Sequence, residues 1–308
     1  MSMWLKKHAW TIGVTLILVA SSTFVLLDAF VVSHAMVKLD DSMGANISAV
    51  SENQDAQPVL NTAQSAVISD AYSYEDSHLS IEVTTYQENG ATYYVADIVT
   101  DSPDFLKTAL AYDTYGKNVT DTTSSMAEAQ NALLAINGDY YGFRDSGTVA
   151  RNGVLLRSDV LSNSTEDLII DGEGNLSIAF EGAYDPEEAI ASGAVDIFSF
   201  GPALVISGEA VDRTTKNSEK DNPRTAIGQI GEGHYVFIVV DGRTSQSAGM
   251  TLDELAQLCV SLGCETAYNL DGGGSSTLYF NGAVINQPTD GKNSGERKIS
   301  DIVYIGYE

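Results

Sequence analysis

The stretch Ala267-Tyr268-Asn269-Leu270-Asp271-Gly272-Gly273-Gly274-Ser275-Ser276-Thr277-Leu278-Tyr279-Phe280 sets how the rest of the chain is read. Ala267 to Leu270 runs into three consecutive glycines, and Thr277 to Phe280 leaves them as a second strand-like run. Glycine inside an element costs roughly 0.5–1 kcal/mol relative to alanine, so three in a row are not core filling. They permit positive φ and let a ligand or another backbone come close. Asn269, Asp271, Ser275 and Ser276 crowd an amide, a carboxylate and two hydroxyls around that bare backbone. Such a cluster has the composition of a binding site. The same residues also suit an ordinary tight turn with Asx-type capping.

Working outward, Thr251 is placed to cap a helix through Cys259 to Leu262, with Asp253 and Glu254 in its first turn and Gly263 as its stop. Tyr235 to Val240 is a continuous apolar run, as expected of a strand covered on both faces, and it ends in Asp241-Gly242-Arg243. Leu79 to Tyr86 alternates apolar and polar, and with Thr92 to Thr100 it brackets the turn Glu88-Asn89-Gly90 as a hairpin. Further hairpin signals are Asn152-Gly153, Gly172 to Asn175 and Asn281-Gly282. Phe105 to Tyr112 fits helix or strand. Ser124 to Ala132 reads as a helix capped by Asp121 or Thr122, and Asp185-Pro186 opens a short one. Leu133 to Ile136 runs into Asn137-Gly138-Asp139, which puts Asp139 at a strand end, where catalytic groups are commonly presented. Residues 212–222 read as a polar loop, and a last strand follows Arg297-Lys298. The fold class is α/β in the mixed α+β sense: a strand-rich single domain with hairpins and a few helices. The three glycines lack GxGxxG spacing and no GK[ST] occurs, so no nucleotide-binding fingerprint is present.

Before that domain, Lys6 and Lys7 precede Ala9 to Leu27, nineteen residues without a charge. That length matches the ~20 residues needed to cross a bilayer, and the leading lysines orient the remainder extracytoplasmically. Ser33-His34-Ala35 offers the competing reading, a signal peptide cleaved after Ala35 to give a secreted protein. The expected organisation is a transmembrane signal-anchor at 1–36, a disordered polar stalk at 37–74 and a globular domain at 75–308.

Across all 308 residues, 42 acidic groups against 16 basic ones give a net charge of −26. Such a chain repels nucleic acid, which excludes that class of partner. Cys259 and Cys264 have no second Cys/His pair nearby; they fit either a small disulfide or two buried thiols. The four histidines are scattered and support neither a histidine metal site nor a Ser-His-Asp triad. Of seven arginines, Arg144, Arg151, Arg224, Arg243 and Arg297 lie in or beside the polar turns. In so acidic a chain this concentrates positive charge at one place, and guanidinium grips phosphate or carboxylate bidentately.

Five motifs occur in order: Asn137-Gly138-Asp139-Tyr140-Tyr141, Gly201-Pro202-Ala203-Leu204, Pro223-Arg224-Thr225-Ala226-Ile227-Gly228, Val240-Asp241-Gly242-Arg243 and Asn269-Leu270-Asp271-Gly272-Gly273-Gly274-Ser275-Ser276. Together they resemble the phosphodiester glycosidase family over roughly residues 78–308. The resemblance implies hydrolysis of a sugar joined through its anomeric oxygen to a phosphodiester; it does not carry over the polymer, for which an exopolysaccharide, a capsule and a teichoic acid all stay open. It implies Asp139 and Asp271 as nucleophile or base, and Asp241 orienting Arg243 or a water. Arg224, Arg243 and, more weakly, Arg297 would grip phosphate. Asn137, Asn269, Ser275, Ser276 and the backbone of Gly272, Gly273 and Gly274 would meet sugar hydroxyls or phosphate oxygens. No cofactor is expected. Two alternatives stay open: a non-catalytic glycan-binding surface protein, and a phosphodiesterase in which Asp139, Asp241 and Asp271 hold Ca or Mg, although no DxDxDG loop is present.

Overall fold

The computed structural model of the chain describes residues 72–162, 164–212, 220–290 and 293–307, with short stretches between 15 and 38. Much of the expected anchor at 1–36 and nearly all of the expected stalk at 37–74 lie outside the described residues, as do residues 213–219 of the polar loop. Among the described residues no helix is long and apolar enough to cross a membrane.

The elements that build the site are β1 (Leu79–Glu88), β2 (Ala91–Thr100), α1 (Thr123–Ala129), β3 (Leu134–Asn137), α2 (Pro186–Ala191), β4 (Ala203–Ile206), β5 (Arg224–Gly231), β6 (His234–Val240), α3 (Leu252–Ser261), β7 (Thr266–Leu270), β8 (Leu278–Phe280) and β9 (Asp301–Ile305). An eight-stranded sheet has the spatial order Glu209–Ala210, β4, β7, β5, β6, β2, β1, Ser73–Glu75. A five-stranded sheet has the order Ala283–Val284, β8, β3, β9, Leu106–Leu110. Glu166–Asp171 and Ala194–Phe198 lie within a second five-stranded sheet, also antiparallel. The strand-rich α+β reading holds, and the sheets of the sandwich are antiparallel throughout.

The apolar run in β6 explains the layering. Tyr235, Phe237 and Val239 point into the main core, against Leu134, Ile136, Leu168, Phe198, Leu278 and Val303 of the other sheets. Val236, Ile238 and Val240 point the other way, where Leu255, Ala256 and Cys259 of α3 cover them. A strand buried on both faces needs no polar alternation. Helix α1 covers the outer face of the smaller sheet through Met126 and Ala127. The order is therefore α3, large sheet, core, smaller sheets, α1.

Local signals hold where the chemistry is specific. Asn89-Gly90, Asn152-Gly153 and Asn281-Gly282 all take positive φ, as a two-residue hairpin loop needs. Thr251 and Glu254 form a capping box on α3, and Thr122 caps α1. Asp185 caps α2 with Pro186 in its first turn. The ambiguous Phe105 to Tyr112 resolves as a strand, Leu106–Leu110, flanked by short 3-10 turns. Cys259 and Cys264 are both buried free thiols. Cys264 packs close to Gly228, where an added Cβ would lie 2.7 Å from its Sγ.

Candidate functional site

Antiparallel pairing gathers the motifs at one rim of the sandwich. Where one strand ends, its neighbour begins: Arg224 pairs with Val240, Thr225 with Leu270, and Ile302 with Asn137. The residues just beyond these strand ends, Asp139, Asp241 and Asp271, therefore share that rim with the starts of β5, β8 and β9. Asn137 joins the two sheets there. Its Nδ2 donates to the Asp271 carbonyl at 2.6 Å, and its Oδ1 accepts from Thr225 Oγ1 at 2.8 Å and from Thr277 N at 3.2 Å. The Asp271 amide in turn donates to the Gly138 carbonyl at 3.1 Å.

Each of the three glycines has its own reason. An added Cβ on Gly272 would lie 2.8 Å from the Pro223 carbonyl. Gly273 has φ +66° and donates its N–H to that carbonyl at 2.9 Å; its Cβ would meet Arg243 Nη2 at 3.0 Å. A Cβ on Gly274 would meet Asp290 Oδ1 at 2.6 Å and Arg297 Nη2 at 2.7 Å. Two guanidinium groups thus lie against bare backbone on neighbouring residues. Gly242 and Gly249 make the same allowance for the segment from Asn222 to Arg224: their Cβ atoms would lie 2.7 Å from Pro223 N and 2.6 Å from Asn222 N.

The three arginines at the turn differ in how they are held. Arg224 donates Nε to the Met250 carbonyl at 2.9 Å and Nη2 to the Lys220 carbonyl at 2.8 Å. Burial lowers its pKa, Asp221 opposes that shift, and the neighbouring Arg243 adds to it. Arg243 is exposed and makes a long 3.4 Å contact to Asn222 Oδ1, with no ion pair among the described residues. Arg297 donates twice to Asp290 Oδ1, at 3.0 and 2.8 Å.

Asp271 is the carboxylate set among them. Burial pushes it up to about 6, while a 2.5 Å bond from Ser275 Oγ, the charge of Arg297 and the Gly272 amide pull it back and Asp139 adds repulsion. It retains 7% exposure, against 1% for Asp139.

The structure separates Asp139 from that role. Its oxygens accept from Tyr140 N at 2.5 Å, from Arg144 Nη2 at 2.8 Å each and from Ser199 N at 3.2 Å. A carboxylate sealed by that many donors anchors Arg144 and has no oxygen free for a substrate. Behind it, the fully buried Asp301 accepts from the Asp139 amide at 2.7 Å and pairs with the fully buried Arg151 at 2.5 Å. Arg151 also lies 3.6 Å over the Phe198 ring. Asp301 and Arg151 hold the Asp139 turn in place. No sequence signal marked Asp301, because its partner lies 150 residues away.

Asp241 does not orient Arg243. Its Oδ1 accepts from Asn286 Nδ2 at 3.0 Å and Gln287 N at 2.9 Å, and Tyr94 OH reaches its Oδ2 at 3.4 Å. Ser275 and Ser276 are buried at 0% and 1%; the Ser275 hydroxyl bonds Asp271 from within the turn, while the Ser276 hydroxyl has no hydrogen-bond partner among the described residues. Asn269 is buried too, with its Nδ2 donating to the Gly201 carbonyl at 2.8 Å. Asn137, Asn269 and Ser275 thus position the turn; Gly272, Gly273 and the three arginines are the more accessible groups, with the largely buried Asp271 beneath them. Among the described residues no three His, Cys, Asp or Glu side chains are gathered as a metal site, so Asp139, Asp241 and Asp271 do not form the Ca or Mg trio considered above. A cavity of about 780 Å³ is lined by Lys107, Asn152 and Asp196 and by none of the residues at the glycine turn. Charge and bare backbone, rather than volume, mark the candidate site.

Comparison with known proteins bears on the same residues. The sequence profile of the phosphodiester glycosidase family matches residues 130–306. An uncharacterized SPbeta prophage-derived protein of Bacillus subtilis, YomE, is 31% identical over 241 residues, covering 71% of this chain and 37% of that protein. The mouse N-acetylglucosamine-1-phosphodiester alpha-N-acetylglucosaminidase is 29% identical over 187 residues, covering 55% of this chain and 36% of the enzyme. The chain thus spans little more than a third of the length of these relatives. Among solved structures, the zebrafish N-acetylglucosamine-1-phosphodiester alpha-N-acetylglucosaminidase catalytic domain superposes with a TM-score of 0.58 at 21% identity, covering 75% of this chain and 83% of that one. A hypothetical protein from Synechocystis gives 0.52 at 16%, covering 74% and 62%. These superpositions establish a shared fold, and with the profile matching more than half of the sequence, the chain belongs to the phosphodiester glycosidase family.

Proposed function

We propose that the protein is a hydrolase that cleaves the glycosidic bond of a sugar-1-phosphodiester in a cell-surface or extracellular glycopolymer. The observation that carries this reading is one carboxylate, Asp271, raised to about 6 at the start of a bare glycine turn against which Arg243 and Arg297 lie. A general base works best when its pKa lies near the working pH. The family relatives named for a sugar-1-phosphodiester activity support the choice of bond.

Arg243, with Arg224 beside it, would hold the phosphate, and Arg297 and the Gly272–Gly273 backbone would lie along the bound sugar phosphate. As the bond from the anomeric carbon to the phosphoryl oxygen breaks, its electron pair stays on the phosphate and positive charge grows on the sugar ring. Guanidinium groups stabilise the first and the Asp271 carboxylate the second. Asp271 acts on the anomeric carbon directly, or takes the proton of the water that adds there. The leaving group is a phosphate monoester whose second pKa is about 6. It departs as a stable anion without a general acid, so a sealed Asp139 is no obstacle. Asp139 keeps a positioning role, through Arg144 and through its repulsion of Asp271.

The uncharged run at 9–27 after Lys6 and Lys7 supports membrane attachment at 1–36, a spacer at 37–74 and an extracytoplasmic domain at 75–308. The test is product analysis with α-linked GlcNAc-1-phosphodiesters, with and without EDTA. Free sugar plus phosphomonoester, lost in Asp271→Asn and insensitive to EDTA, is the expected result. Sugar-1-phosphate as the product would transfer the protein to the phosphodiesterases.

A further inference from the structure

Three arginine–aspartate ion pairs occur among the described residues, and they differ in how far water reaches them. Arg151 and Asp301 are wholly buried, and the Arg144–Asp139 pair keeps only 16% of the arginine side chain open. Arg297 and Asp290 keep 34% and 42% of their side chains exposed. The first two pairs are part of the frame. An ion pair that solvent reaches on both sides is weak and exchanges partners at little cost.

The exposed pair lies at the glycine turn. A Cβ on Gly274 would meet both of its members, Asp290 Oδ1 and Arg297 Nη2. Its geometry is also incomplete. Arg297 Nε and Nη2 both donate to the one oxygen Oδ1, at 3.0 and 2.8 Å, and Oδ2 takes no bond among the described residues. The edge of a guanidinium is best matched by two oxygens, one for each N–H, as a phosphate offers. Here two donors share a single oxygen.

The carboxylate comes from a small element of its own. Thr289–Asp290 and Asn293–Ser294 form a two-stranded sheet apart from the larger ones. Thr289 Oγ1 donates to the carbonyl of Gly242, the residue before Arg243, at 3.0 Å. After the hairpin, Glu296 accepts from Ser124 N at 2.9 Å and from Ser124 Oγ at 2.5 Å. These ties fasten the segment at Thr289 and Glu296, and none of them uses the Asp290 carboxylate. Its side chain can turn away from Arg297 without releasing the hairpin.

An anion thus already sits on Arg297 at the turn, and it is the protein's own. A diester carries one negative charge. The monoester released from it carries up to two, with a second pKa of about 6. A carboxylate beside Arg297 competes with both and repels the second more strongly.

We propose that Asp290 is a positioning residue that occupies the phosphate place on Arg297 in the free protein, yields it to the bound diester and reclaims it as the monoester leaves. The identity of the diester rests on the glycosidase function proposed above; the competition for Arg297 does not.

The test titrates the full chain with inorganic phosphate, followed by phosphorus NMR, in the wild type, Asp290→Asn, Arg297→Gln and the double variant. Asparagine keeps an acceptor oxygen at an exposed position, and equal melting temperatures check the fold. Asp290→Asn is expected to lower the Kd for phosphate by about fivefold, the upper end for an accessible ion pair. The gain is expected to vanish when Arg297→Gln is also present. An unchanged or raised Kd would overturn the proposal, because Asp290 would then aim Arg297 rather than compete for it. So would an equal gain in the Arg297→Gln background, which would mark a general loss of negative charge. Absence of phosphate binding in both the wild type and Asp290→Asn would overturn it as well. On the methyl ester of α-GlcNAc-1-phosphate, Asp290→Asn is expected to lower KM with kcat no higher, and to make inorganic phosphate a stronger inhibitor. A raised KM with inhibition unchanged would count against the exchange. If neither protein turns the ester over, the glycosidase function falls, and the phosphate titration decides the role of Asp290 alone.

Discussion

The bond from Ser275 Oγ to Asp271 Oδ2, 2.5 Å long, is a lever on catalysis that leaves the carboxylate itself in place. It stabilises the ionised form and so opposes the burial that pushes Asp271 up to about 6. A hydrogen bond to a charged group contributes ~1.5–3 kcal/mol, and one pKa unit corresponds to ~1.4 kcal/mol. Ser275→Ala therefore raises Asp271 from about 6 to between about 7 and 8. If the reaction needs ionised Asp271, the acid limb of the pH–kcat/KM profile moves by the same amount. At pH 6 the wild type works at about half its plateau, and the variant falls to between about a tenth and a hundredth of its own. Above pH 9 the two plateaus converge, because Arg243, Arg297 and the Gly272 amide are untouched. The assay is initial rate against pH on one sugar-1-phosphodiester, with both proteins checked for equal melting temperature. A plateau that drops while the limb stays at its wild-type position would refute the reasoning, since Ser275 would then act other than through the ionisation of Asp271.

Three further outcomes follow from the same geometry. The native state binds the Asp271 proton more tightly than the unfolded chain does, so stability falls as pH rises from ~4 to ~6. The gap from ~3.9 amounts to about 3 kcal/mol at pH 7, and Asp271→Asn is expected to be inactive yet more stable in urea at pH 7, with that gain gone at pH 4. Arg243→Ala is expected to lower kcat/KM by ~10²–10³ with melting unchanged, and Arg243→Lys to restore only part of it, because an ammonium lacks the bidentate fork; full recovery by lysine would argue against phosphate gripping. Asp301→Asn leaves the Arg151 charge buried and unpaired, at a cost of ~3–5 kcal/mol measured by denaturant unfolding. A loss below about 1 kcal/mol would show that the pair does not hold the Asp139 turn.

What could be read from the sequence was whatever one short stretch determines by itself. Asn-Gly hairpins, the Thr251 capping box and the all-apolar β6 need only neighbours along the chain, and each appears where expected. The glycine turn was also legible, and of the five arginines grouped in the sequence Arg224, Arg243 and Arg297 lie at it, whereas Arg144 and Arg151 are drawn away into pairs with Asp139 and Asp301. Direction of side chains was not. Asp139 and Asp271 look alike in sequence, both acidic residues beside glycine at strand ends. Arg144 and the Ser199 amide, 5 and 60 residues away, seal the first and leave the second partly open. Asn137 and Asn269 are equally indistinguishable from ligand-binding amides until their long-range partners are seen.

Asn137 also limits how this protein can move. One side-chain amide ties the end of β3 to the Asp271 carbonyl on β7's exit and to Thr225 on β5, so both sheets are fastened together at the rim that carries the candidate site. Opening the sandwich there like a jaw would cost these bonds. On the proposed function, entry and exit of a glycan chain would fall to the exposed Arg243 side chain and to loops, with the frame beneath staying closed.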